Sequence, residues 1–144
     1  MSIKLLPPAL SVLALGVLAA LALPAQAQAR VSLSEDAHIT NSLVSAAVGA
    51  AIADQCAAIE PRNVTVFFKT MALKRYAQDL GYSTKEINAF VRDREERRRV
   101  RELARDYLTK NGVKIDDTAS FCALGRAEIA KKSLTGQLLR QNGR

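Results

Sequence analysis

Tryptophan is absent from this 144-residue chain, histidine occurs once, at His38, and cysteine twice, at Cys56 and Cys122. One histidine rules out most arrangements in which a base is oriented by a second ring. Two distant cysteines and that histidine are too few ligands for a closed zinc site. Neither Cys-x-x-Cys nor Cys-x-x-Cys-His occurs, so dithiol redox catalysis and covalent haem lack their motifs. No serine sits in a nucleophile elbow and no glycine-rich loop follows a strand. Aromatics make up 5% of residues, which leaves little to stack on bases, so nucleic acid is not the expected partner despite a net charge of +7. No catalytic residue, metal or cofactor is therefore expected, and the chain does not read as an enzyme.

What is present begins with an export signal. Met1 to Lys4 is short and basic, and Ala9 to Leu23 is apolar apart from Ser11 and Gly16. "PAQAQAR" then offers the small residues a signal peptidase reads, Ala25 with Ala27 or Ala27 with Ala29. A membrane span needs about 20 apolar residues. This core is shorter and is bracketed by Pro7, Pro8 and Pro24. Residues 1–29 are thus expected to be a cleaved signal peptide, with no lipidated cysteine. Residues 30–144, about 115 in number, form one domain. No second stretch is apolar and long enough to span a bilayer, so the mature chain is expected in the periplasm or outside the cell.

Export gives the cysteines a meaning, because an even count in an oxidising compartment suggests a bridge. Cys56 and Cys122 lie 66 positions apart, and closing such a loop stabilises a fold by about 4 kcal/mol in the chain-entropy model.

The mature chain reads as helix throughout, an all-α fold of four helices. "SLSE" at Ser32–Glu35 and "STKE" at Ser83–Glu86 have capping-box spacing. They start a first helix near Glu35, running to Ile59, and a third from Thr84 to Thr109. A second helix runs from Val64 to Leu80, with Phe68, Ala72, Tyr76 and Leu80 expected to face inward. Gly81 and the Asn111–Gly112 pair supply left-handed ends. A last helix begins at Asp116 or Asp117 and extends toward Leu139. Ser45, Gly49, Ala53 and Cys56 share a face of the first helix, and Cys122, Gly125 and Ile129 a face of the last. A helical glycine costs about 1 kcal/mol against alanine. These small residues predict a close, disulfide-bridged crossing of the two helices.

The "RDREERRR" run at 92–99 is mixed, five arginines against three acids. Asp93–Arg97 and Glu95–Arg99 have the acid-first i,i+4 order, so the run reads as a solvated segment that pairs with itself. Arg97, Arg98, Arg126, Lys131 and Lys132 remain candidate contacts for an anion or a partner. His38 is expected to face solvent, and Glu128 to pair with Arg126 and Lys131.

Five stretches occur together in order: "HI" at His38, "IADQCAAI" around Cys56, "AQDLGYSTKEINAFV" from Ala77, "FCALGRAEIAKKS" from Phe121 and "GQLLR" ending at Arg140. Together they resemble a family of small exported alphaproteobacterial proteins of unknown function, domain of unknown function fifty-three thirty-three. The resemblance implies a periplasmic or secreted setting and supports the Cys56–Cys122 pairing, but brings no activity. The functional expectation is a non-enzymatic interaction or accessory protein. The alternatives are a periplasmic stress chaperone, a binder of anionic envelope components, or, less favoured, an envelope-polymer enzyme.

Overall fold

Asp36, not Ser32, starts the first helix. Its carboxylate accepts from the Ile39 amide at 2.9 Å, while Ser32–Glu35 forms a turn closed by Glu35 N donating to Ser32 O. The computed structural model describes residues 30–143. The signal-peptide reading of residues 1–29 lies outside them. Among the described residues no helix is long and apolar enough to cross a membrane.

Among the described residues six helices form where four were expected. Helix α1 is Ala37–Gln55, shorter at both ends than predicted. Strand β1 (Ile59–Pro61) follows, then α2 (Asn63–Asp79). The predicted third helix is two, α3 (Thr84–Arg92) and α4 (Arg94–Lys110). The predicted last helix is α5 (Thr118–Lys131), a single turn α6 (Leu134–Gln137) and strand β2 (Leu139–Gln141).

Each departure has a local cause. Asp93 is extended (φ −60°, ψ 135°), ends α3 and caps α4 by accepting from the Glu96 amide at 2.8 Å. A carboxylate that satisfies one of the four free amides of a new helix competes with continuing the old one. Lys132 takes a left-handed conformation (φ 53°) that stops α5, and Ser133 caps α6 through the Gly136 amide. β2 then pairs antiparallel with β1, Glu60 opposite Arg140, and the Arg140 guanidinium donates to Glu60 at 2.8 Å. The fold is mainly helical, with this short ribbon as the exception.

Other end signals are borne out. Ser83 and Glu86 form the full capping box, and Gly81 (φ 88°) and Gly112 (φ 83°) are left-handed.

Cys56 and Cys122 are bonded, with Cα atoms 5.2 Å apart. Cys56 is fully buried among Val48, Ile52, Ile59, Phe121 and Leu124, the main core. Burying each of the large members contributes about 1.5–3 kcal/mol. α1 runs through this core and packs on α4, α5 and α6. At the crossing only Gly125 is needed for closeness. A Cβ there would lie 2.6 Å from Ile52 Cγ2 and closer still to Ile59 Cδ1, whereas one at Gly49 would meet Leu139 and Thr135 at an ordinary 3.8 Å. Gly136 is tighter again, since a Cβ would run into the Glu128 carbonyl.

A second, smaller core joins Leu33, Ile39, Ala77 and Ile87, with Leu73, Leu80 and Phe90 packed against it. It binds α2 and α3 to the start of α1. Arg30 reaches into this end, its guanidinium 4.3 Å above the Tyr82 ring and 2.9 Å from Glu86.

Candidate functional site

α2 is held at its two ends and stands off in the middle. At its start the Arg62 amide donates to Leu138 O at 2.8 Å, and further along the exposed Lys69 Nζ reaches Gln137 at 2.9 Å. Toward its end Tyr76 donates to Asp36 at 3.0 Å, and the His38 ring meets Tyr76 edge-on at 4.6 Å. His38 is exposed, as expected. Asp36 is held below the usual carboxylate range by the Ile39 amide, and the hydrogen bond to Asp36 raises the Tyr76 phenol.

Between those anchors α1, α2 and α3 leave a cleft of about 410 Å³. Its floor is the second core, and Leu43, Val66 and Phe90 form the walls. Ala46 and Ala72 face it from opposite sides, and both are exposed. Side chains so short do not fill the gap that their helices leave. The charged residues of the lining are Lys69 and Lys74, and no Asp or Glu is among them.

The outer face of α2 is apolar as well. Val64, Phe67, Phe68 and Met71 follow i, i+3, i+4, i+7 and are 71%, 60%, 64% and 42% exposed. The two phenyl rings meet edge to face at 5.6 Å. This corrects the expected inward stripe: Phe68 points to solvent, Ala72 lies exposed at the mouth of the cleft, and Leu73, Tyr76, Ala77 and Leu80 face the core. An apolar helix face is normally buried; the first half of α2 leaves its outer stripe uncovered, while its second half meets the core through Leu73, Tyr76, Ala77 and Leu80. Arg75, exposed and four residues beyond Met71, lies on the same side, and Asp79 is the only acid of α2.

The basic candidates lie on other elements, Arg97 and Arg98 on α4 and Arg126, Lys131 and Lys132 on or at the end of α5. Arg98 pairs with Glu95 at 2.6 Å and approaches Glu102 at 3.9 Å; Arg99 pairs with Glu96 at 2.5 Å. The run therefore does pair with itself, but through two i,i+3 pairs rather than through Asp93–Arg97 and Glu95–Arg99, and Arg98 also reaches Glu102 beyond it. It is not wholly solvated either: Glu96 is buried, and Arg99 reaches Thr40 of α1 at 3.2 Å. Arg97 lines a shallow 220 Å³ depression beside Val91 and Val100. Arg126 and Lys131 are exposed on α5, and Lys132 ends it.

Glu128 is 1% exposed and makes no ion pair with Arg126 or Lys131, which corrects the expected surface pairing. It accepts from the Tyr107 hydroxyl at 2.9 Å and from the Ser133 hydroxyl, joining α4, α5 and the turn before α6. Burial, and next the bond to Glu128, raise the Tyr107 phenol. Its position relative to Phe121, Leu124 and Gly125 was the available sign that it points inward.

With the geometry in hand, the chain was compared with known proteins. A model described as Family of unknown function (DUF5333) matches residues 31–140, and the chain belongs to that family. No curated protein and no solved structure matches it.

Proposed function

We propose that this family member is a non-enzymatic interaction protein, exported to the periplasm, that docks a protein partner through the outer face of α2. The observation that carries the reading is the contiguous stripe Val64, Phe67, Phe68 and Met71, unpartnered on a helix whose other face is already in the core. Aromatic residues and methionine are enriched at interface centres. Covering each phenyl ring would contribute about 1.5–3 kcal/mol, enough for two adjacent rings to act as the anchor of an interface. The Cys56–Cys122 bond supports an oxidising compartment.

The partner's chemistry follows from the rim. Arg75, four residues beyond Met71 and exposed, continues the stripe's side of α2, so the fitting surface is an apolar patch with a carboxylate at that edge. A second copy of this chain would bring no carboxylate from residues 63–78 of α2 to meet that cation.

A photo-crosslinker at position 68, with position 110 as control, tests this in cells. The expected result is one acidic-rimmed protein captured from 68 and not from 110. Its binding to the purified chain should weaken at least tenfold in Phe67→Ser/Phe68→Ser and fall as salt rises. Capture of a second copy alone, matched by a dimer in light scattering that the double variant dissolves, contradicts the reading. A broad set of denatured proteins captured from 68 would favour a chaperone.

A further inference from the structure

We infer that the cleft beneath α2 is a binding site for one long-chain fatty acid, with the acyl chain along the floor and the carboxylate at Lys69 and Lys74. This goes beyond the docking reading, which concerns the opposite face of the same helix.

Three observations converge on that ligand. The first is size and lining: about 410 Å³, within the range of small-molecule sites, over a floor of Leu33, Ile39, Ala77 and Ile87. A cleft this size suits a single chain better than a two-chain phospholipid. The second is charge. Lys69 and Lys74 are the charged members of the lining and no carboxylate opposes them, so an anionic head is favoured over a neutral or cationic one. Lys69 already donates to Gln137, a neutral amide it can share or exchange, and Lys74 makes no ion pair among the described residues. The third is how the space arises. α2 is fastened at both ends, by Arg62 to Leu138 and by Tyr76 to Asp36, so it cannot settle onto α1 and close the gap opposite Ala46 and Ala72. An apolar cavity kept open by polar anchors admits an apolar chain without rearrangement of the fold.

The test is titration of the purified protein with palmitate below its aggregation limit, followed by calorimetry. Saturable one-to-one binding is expected. Replacing a charge-assisted hydrogen bond typically costs about tenfold in affinity. Lys69→Ala and Lys74→Ala should each weaken palmitate by about that factor and leave 1-hexadecanol nearly unchanged. Ala46→Phe or Ala72→Phe, at exposed positions where the larger side chain fills the cleft, should abolish binding of both while the far-ultraviolet spectrum stays that of a folded chain. The inference is overturned if palmitate does not saturate, or if hexadecyltrimethylammonium binds as well as palmitate. It is also overturned if both cleft-filling variants, folded, bind as the parent does. Phosphatidylglycerol vesicles that bind parent and filled variants alike, with no soluble palmitate complex, would assign the surface to membranes and overturn it too. The titration contains no partner protein, so its failure leaves the docking of α2's outer face standing, and the reverse holds for the crosslinking experiment.

Discussion

Two glycines inside helices, Gly49 and Gly125, look alike in sequence and should respond oppositely to a methyl group. At Gly125 the added Cβ would sit 2.6 Å from Ile52 Cγ2 and closer to Ile59 Cδ1. Both isoleucines are almost fully buried, and Ile59 is fixed in strand β1 beside the disulfide. Neither can swing into solvent, so one element must shift. Overpacking of this kind costs about 1–3 kcal/mol, and the gain in helix propensity returns about 1 kcal/mol. The net expectation for Gly125→Ala is a loss of about 0–2 kcal/mol, the difference of those two effects. At Gly49 the Cβ meets Leu139 and Thr135 at 3.8 Å, ordinary contact, so Gly49→Ala should stabilise by about 0.5–1 kcal/mol. Urea unfolding of the oxidised protein reads both, as a shift of midpoint at constant slope. Gly125→Ala gaining as much stability as Gly49→Ala, or Gly49→Ala losing more than about 1 kcal/mol, would refute the crossing geometry.

Other consequences can be measured on the same protein. Cys56→Ser should cost about 2–5 kcal/mol, the usual loss for a native bridge in a small domain, read by thermal unfolding. Glu128→Ala should cost more than Glu128→Gln, because alanine strands the hydroxyls of Tyr107 and Ser133 without an acceptor, about 1–3 kcal/mol for each left unsatisfied. Glu86 is held down to about 2 by the Ser83 hydroxyl and amide and by Arg30. Its folded value is depressed, so its contribution is whole above the unfolded value of 4.5 and is lost as pH falls from there toward 2. Melting temperatures across that window should fall less steeply in Glu86→Gln than in the parent.

How much of this was legible depended on whether the cause was local. The Ser83–Glu86 box, the left-handed Gly81 and Gly112 and the exposed His38 rest on neighbours a few residues away, and they stand as read. The disulfide followed from cysteine count together with the expected export. Where the cause is distant or ambiguous, the reading failed. Strands of three residues carry no periodicity, and β1 finds its partner only at the other end of the chain. Asp93 and Glu96 have the spacing of an N-terminal cap, but amid eight consecutive charges that signal was read as ion pairing along a continuous helix. On α2, a line of i+4 positions drifts about 40° per step around the axis. Phe68, Ala72, Tyr76 and Leu80 thus start in solvent and end in the core, and with apolar residues on both faces the pattern could not say which side was covered. That ambiguity concealed the candidate site, because the cleft and the exposed stripe both arise from it.

The most direct measurement is the unfolding free energy of Phe67→Ser/Phe68→Ser. If the outer face of α2 is surplus to the fold and reserved for a partner, the double variant stays within about 0.5 kcal/mol of the parent for each substitution, as surface changes do. A loss approaching the 3–5 kcal/mol typical of a deleted core phenylalanine would mean that those rings hold the fold together and that α2 has no free face to offer.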